Sequence, residues 1–231
     1  MADDKMLSVN IVKLNARIRE AAQKYCRSEG EITLLAVSKT RSAEDVRQAF
    51  AGGLNNIGEN YLQEAVEKQK ELHDLPLCWH FIGPIQSNKT ATIATRFDWV
   101  HSVDRLKIAR RLSEQRPPDL KQLQYCIQVN IDAEQTKSGV WLDQLPELVK
   151  HVIELPNIQL RGLMAIPKPN QDPEQQRQAY RQLADALKQL QENWPALDTL
   201  SMGMSADMDS AIAEGATILR IGTALFGPRN R

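Results

Sequence analysis

Lys39 closes the run Leu34-Leu35-Ala36-Val37-Ser38-Lys39-Thr40, which otherwise reads as a buried strand. Side chains alternate faces along a strand, so Leu35, Val37 and Lys39 point the same way. A lysine carried onto a buried face needs a partner. Burial also favours its neutral amine, a nucleophile able to form an imine with an aldehyde. The competing reading is a lysine that snorkels to solvent from a strand end. Near the other end of the chain stand Ser205 and the run Arg220-Ile221-Gly222-Thr223. Ser205 precedes a short helix beginning near Asp207 and reads as its N-cap, where unpaired N–H groups attract an anion. Gly222 lets backbone approach closely, and Thr223 adds a hydroxyl. Taken singly, each is also explained as a capping serine or a turn glycine. Arg220 shares strand parity with Ile218 and Gly222. An arginine turned inward needs an acceptor, met either by a protein carboxylate or by the ring nitrogen of a bound cofactor.

These residues need elements that bring them together. Leu7, Ile11, Leu14, Ile18, Ala21 and Tyr25 form one apolar face of an opening helix to about Arg27. After Ser28-Glu29-Gly30 comes the Lys39 strand, and Ser42-Ala43-Glu44-Asp45 has the form of a capping box opening a helix that stops at Gly52-Gly53. The same unit then recurs. Strands are expected at Asn56–Glu59, Cys78–Gly83, Asp98–Val103, Leu123–Ile131, Ile158–Ile166, Leu200–Met204 and Ala216–Ile221. The helices between them are expected at Tyr61–Leu72, Lys89–Arg96, Arg105–Gln115 with Asp104 as cap, Leu142–Leu155 with Pro146 in or before its first turn, Asp172–Asn193 and Asp207–Glu214. Eight strands, each but the last clearly followed by a helix, imply parallel pairing and a (β/α)8 TIM barrel of class α/β. An open doubly wound sheet is the alternative, disfavoured because no G-x-G-x-x-G follows the first strand. No linker interrupts the pattern, so residues 1–231 read as one domain, with an extra N-terminal helix over 1–30 and the barrel over 31–231.

In such a barrel, function gathers at the C-terminal ends of the strands, and phosphate often lies beyond strands seven and eight. Lys39, Glu59-Asn60, Gly83 to Lys89, Lys137-Ser138-Gly139, Ser205 and Gly222-Thr223 all fall there. An imine-forming lysine, a phosphate cradle and a buried arginine match the aldehyde, phosphate and pyridine nitrogen of pyridoxal 5′-phosphate (PLP).

Composition excludes other classes. The chain has 231 residues, 42% hydrophobic and 25% charged, with 29 Lys+Arg against 29 Asp+Glu. No basic excess favours nucleic acid. No apolar run approaches the ~20 residues of a membrane span. Met1-Ala2-Asp3-Asp4-Lys5 lacks the core of a signal peptide, and Cys26, Cys78 and Cys126 are scattered, so a reduced, cytoplasmic protein is expected. Cys78, Cys126, Met202 and Met204 read as core. His80 and His101 lie in strands, without metal-ligand spacing, so no metal is expected.

The motifs Leu34–Thr40, Gly58-Glu59-Asn60-Tyr61, Trp79-His80-Phe81-Ile82-Gly83-Pro84-Ile85-Gln86-Ser87-Asn88-Lys89, Lys137-Ser138-Gly139, Arg161–Ile166, Ser201–Met208 and Arg220–Thr223 closely resemble the pyridoxal phosphate homeostasis protein family. Met202 stands where some relatives have leucine. The resemblance implies a barrel like the N-terminal domain of alanine racemase, with PLP held as an imine on Lys39. It also implies Asn60 beside the cofactor, Arg220 at the ring nitrogen, and Ser205, Gly222 and Thr223 on the phosphate. The expected role is a non-catalytic carrier that buffers PLP or delivers it to apo PLP-dependent enzymes, as a monomer. Two other readings compete: a small PLP-dependent amino-acid racemase or lyase, and a barrel enzyme acting through Lys39 on a phosphorylated sugar. A racemase of this fold draws a second base from a further domain, and the eight units use up this chain.

Overall fold

The computed structural model describes residues 2–134 and 136–228. Eight parallel strands close in sequence order into a barrel: β1 (Thr33–Val37), β2 (Asn56–Glu59), β3 (Cys78–Phe81), β4 (Trp99–Val103), β5 (Leu123–Val129), β6 (Ile158–Ala165), β7 (Thr199–Ser201) and β8 (Ile218–Ile221). The expected TIM barrel is what forms. The helices of the outer ring are α2 (Ala43–Ala51), α3 (Leu62–Glu71), α4 (Thr90–Arg96), α5 (Leu106–Gln115), α6 (Leu145–Val152), α7 (Pro173–Gln191) and α8 (Met208–Ala213). The extra N-terminal helix is α1 (Ala2–Lys24). Its expected stripe, Leu7, Ile11, Leu14, Ile18 and Ala21, is buried, with Tyr25 packed half-buried beside it. Each such aliphatic side chain withdrawn from water contributes about 1.5–3 kcal/mol, which is what lays α1 against α8, α2 and the segment Thr223–Phe226. Among the described residues, no helix is long and apolar enough to cross a membrane.

Local chemistry sets most boundaries as read. The Ser42–Asp45 capping box opens α2, and Asp172 accepts from the Glu174 N–H at 3.0 Å to open α7, with Pro173 in its first turn. Several expectations are corrected. Asp104 caps nothing. Arg105 occupies the N-cap of α5 without a side-chain cap, and the Asp104 carboxylate pairs with Arg105 instead. Leu142–Gln144 is a 3-10 turn, so the helix proper starts at Leu145 with Pro146 in its first turn. β7 stops at Ser201 rather than Met204. Gly203 takes a left-handed φ of 91°, and the Met204 N–H turns to the Asp207 carboxylate at 2.6 Å. Met202 is buried as expected, whereas Met204 is only half-buried beyond the strand. β8 has a helix after all, α9 (Thr223–Phe226), too short to show a period.

The β6–β7 seam is tight at Gly162, where an added Cβ would stand 1.9 Å from the Thr199 carbonyl oxygen. Backbone cannot yield as a flexible side chain can. Gly162→Ala should therefore cost about 1–3 kcal/mol or more, read as a lower urea midpoint at unchanged denaturant slope.

Candidate functional site

At the end of β1 the chain turns sharply. The Ser38 N–H extends the ladder to the Gly58 carbonyl at 3.0 Å, and the Arg41 N–H closes the turn on the Ser38 carbonyl at 3.0 Å. Thr40 within it has φ of 62°, a left-handed conformation that costs a β-branched residue dearly. Lys39 is half-buried there. The barrel register fixes its neighbours. Val37 pairs with Gly58 on β2, so Asn60 follows that partner by the same two residues that separate Lys39 from Val37. On the other side Ala36 pairs with Ile221, and a Cβ at Gly222 would stand 3.3 Å from the Val37 carbonyl. Asn60 is itself crowded: a Cβ on Gly83 would stand 2.1 Å from its carbonyl oxygen. Its side-chain Oδ1 is buried with no hydrogen-bond partner, an unmet acceptor beside the Lys39 turn.

Ser205 is not the N-cap of α8; Asp207 holds that position, and its carboxylate folds back onto the Met204 N–H. The Ser205 hydroxyl reaches across to the next element and accepts the Ala224 N–H at 3.2 Å. Gly222 is the N-cap of α9 and offers no side chain, and Thr223 is the first helical residue, exposed. Ser205, Gly222 and Thr223 thus meet around one helix start, that of α9 rather than the α8 expected.

Arg220 lies deeper and is 5% exposed. Among the described residues no carboxylate forms an ion pair with it. Its Nη1 donates to the Ser201 carbonyl at 2.5 Å and the Ser201 Oγ at 2.8 Å, and its Nη2 to the Ala165 carbonyl at 2.8 Å. Burial lowers its pKa, but guanidinium remains a cation and can only donate. With both rings neutral, polarity through the barrel interior is set from the far end, at Asn56, whose Nδ2 donates to Asn55 Oδ1 at 2.9 Å and whose Oδ1 therefore faces His80 as an acceptor. Ser201 Oγ, accepting from Arg220, gives its own hydrogen to His101 Nδ1 at 2.7 Å. His101 then carries its proton on Nε2 and donates it to His80 Nδ1 at 3.0 Å. His80 in turn donates from Nε2 to Asn56 Oδ1 at 3.0 Å. Both rings are neutral: burial pushes His80 down to about 3, and burial, then His80 and Arg220, hold His101 well below the ordinary value.

The structure therefore brings Lys39, Asn60, Ser205, Gly222 and Thr223 to one end of the barrel, with Arg220 held inside it by protein acceptors. Ser201 and His101, which hold Arg220, were not singled out for that task in the sequence; the inward parity of His101 was the available signal. Beside Asn60 a cavity of about 300 Å³ is lined by Ile82, Pro84, Lys137, Ser138 and Ile166 among others. Lys137 is ion-paired there with Asp132 at 3.3 Å and Glu134 at 2.5 Å. Lys89 lies exposed in a 3-10 turn. Among the described residues no group of three or more His, Cys, Asp or Glu side chains is arranged to hold a metal.

Residues 9–230 match the family described as alanine racemase, N-terminal domain. A protein of Pseudomonas aeruginosa named pyridoxal phosphate homeostasis protein is 58% identical over 97% of this chain and 96% of its own. The chain belongs to the pyridoxal phosphate homeostasis protein family. A second member, from Escherichia coli K12, is 49% identical over 96% of both chains. Among solved structures, PipY of Synechococcus elongatus with PLP bound is 38% identical, with a TM-score of 0.77, covering 91% of this chain and 100% of that one.

The neutral histidines have a measurable consequence. The unfolded chain takes up protons near the ordinary histidine pKa of 6.5 that the folded chain refuses until about 3 at His80. This stabilisation is full above 6.5 and is lost as the pH falls below it, by up to ~1.4 kcal/mol per pH unit per histidine. In His80→Gln, the slope of unfolding free energy against pH between about pH 6 and about pH 4 should be shallower by about one proton, measured by urea titration at each pH.

Proposed function

We propose that this chain binds PLP at the C-terminal end of its barrel and serves as a non-catalytic carrier of it. The observation that carries the reading is the junction of β2, β1 and β8. It sets the half-buried Lys39 between an unmet acceptor on Asn60 and the helix start shared by Ser205, Gly222 and Thr223. These residues fit the group's three functions, and the PLP-bound PipY, at 38% identity, supports the fit. Bound PLP would supply an electrophilic aldehyde carbon. Lys39 would be the residue that holds this carbon, through its Nζ. The hydroxyls of Ser205 and Thr223, with the first N–H groups of α9, receive the phosphate. Arg220, a permanent donor, serves the ring nitrogen and denies it a proton, which weakens the ring as an electron sink.

The carrier reading rests on the candidates for a second acid–base group. Turnover of an amino acid needs a second acid–base group beside the imine. Burial pushes the thiols of Cys78 and Cys126 up to about 12 and raises the phenols of Tyr125 and Tyr180. Tyr61 is exposed at the start of α3. None of the four groups shifted by burial is tuned to shuttle a proton near neutrality. A half-exposed lysine also suits loading and unloading, with apo PLP-dependent enzymes as recipients. On the same reading the chain works in the cytosol as a monomer.

Borohydride reduction of the PLP-loaded protein should place the cofactor on the peptide carrying Lys39; a label confined to Lys137 or Lys89 would overturn the assignment. Ser205→Asp puts a like charge against the phosphate, where repulsion amounts to several kcal/mol, so PLP retention should drop at least about tenfold with circular dichroism unchanged. Incubation with amino acids of either hand in deuterated water should give no fast inversion or Cα deuterium uptake. Rapid exchange abolished by Lys39→Ala would establish a racemase instead.

A further inference from the structure

Behind the barrel wall, facing away from the mouth, lies a charged cluster that the site described so far does not use. Ser38 and Glu59 have the parity opposite to Lys39 and Asn60, so their side chains turn outward toward α3. Glu59 is fully buried and Lys68, from α3, is 4% exposed. Lys68 Nζ donates to three acceptors: the Ser38 carbonyl at 2.6 Å, Glu59 Oε1 at 2.7 Å and Glu64 Oε1 at 2.6 Å. Three donated bonds account for all three hydrogens of an ammonium. Glu59 Oε1 also accepts the Ser38 hydroxyl at 2.5 Å. Glu64 Oε1 takes one further bond, from the Thr40 backbone N–H at 2.6 Å.

The placement of those bonds is selective. Lys39 is joined to the chain by two peptide groups. The carbonyl of the one before it, on Ser38, is held by Lys68. The N–H of the one after it, on Thr40, is held by Glu64. Thr40 carries the left-handed φ of 62°, a strain of order 1–3 kcal/mol that persists only where its surroundings enforce it. Burying an ion pair is itself poor stabilisation, because desolvation offsets much of the attraction. A cluster of this kind is therefore better explained by what it orients than by what it adds to folding.

We propose that Glu59, Lys68 and Glu64 are positioning residues for Lys39, clamping both peptide groups that flank it so that its amine is presented at the barrel mouth. The consequence for PLP loading rests on the function proposed above; the clamp itself does not. The same three bonds occupy Lys68 Nζ behind the barrel wall, so this lysine does not compete for an aldehyde.

The test uses the full chain with three variants. Glu64→Ala removes the acceptor for Thr40; Glu64→Gln keeps an acceptor of the same shape. Glu59→Gln combined with Lys68→Met removes the clamp on Ser38 without leaving an unpaired buried carboxylate. Hydrogen exchange at the Thr40 amide should be at least tenfold faster in Glu64→Ala and near the parent rate in Glu64→Gln. Imine formation with added PLP, followed by visible absorbance, should be at least tenfold slower in Glu64→Ala and in the double variant, and restored in Glu64→Gln. Circular dichroism monitors the fold in each. Parent-rate imine formation in both Glu64→Ala and the double variant would overturn the proposal, whatever the exchange result. A parent protein that forms no borohydride-reducible adduct would sink the PLP reading. In that case the acylation rate of Lys39 by a general amine reagent tests the clamp: a change in Glu64→Ala reversed in Glu64→Gln upholds it, and identical rates in all variants refute it.

Discussion

The pairing of β1 with β8 is the contact on which the site depends. It is the seam that closes the barrel, and it sets Leu35 against Arg220 and Ala36 against Ile221. Before closure, the lysine-bearing turn and the Gly222–Thr223 helix start belong to distant parts of the chain. After it, they are adjacent strand ends, spaced by a ladder that a one-residue slip would invert. Gly222 makes the seam possible at its upper end, because its lack of a side chain lets the two backbones approach beside Val37.

The site is supported in two different ways. Around Lys39 the support is charged and lies outside the barrel, where Glu64 and Lys68 grip backbone and Glu59 holds Lys68 in place. Around Arg220 the support is neutral and lies inside, where two carbonyls and a hydroxyl receive the guanidinium and two uncharged imidazoles stand in line behind that hydroxyl. The difference follows from depth. Within the barrel a second full charge would be costly to desolvate, whereas a dipolar acceptor costs little once it is bonded. Glu59 shows the strain of the charged solution: desolvation raises its pKa against the pull of Lys68, and its Oε2 has no partner.

What the sequence revealed, and what it hid, follows from which groups have letters. Lys39, Gly222 and Arg220 were legible because strand parity and strand ends can be read from alternation, and the eight strand–helix units from their apolar periods. The acceptors of Arg220 were not, since two of its three recorded bonds go to main-chain carbonyls, which every residue carries. Ser205 was assigned to the wrong helix because α9, four residues long, leaves no periodic trace. Lys68 was overlooked because its helix, with Gln63, Glu67 and Lys70, reads as a solvated face, and only the outward turn of Glu59 reveals that one lysine of that face is covered. Asn60 was marked by family resemblance, its unmet oxygen only by coordinates.

The chain of donors from Arg220 to Asn56 has a consequence for how this barrel tolerates change. Every link gives in the same direction because its last member, Asn56 Oδ1, can only accept and each neutral ring has a single hydrogen to give. The link between the two rings cannot turn round alone: a residue that offers an acceptor where His101 now offers its Nε2 hydrogen would meet another acceptor, His80 Nδ1, whatever its size or apolarity. The five positions 56, 80, 101, 201 and 220 are therefore one inherited unit rather than five sites. They come from five different strands or strand ends, so drift at any one of them is answerable to residues up to the full width of the barrel away.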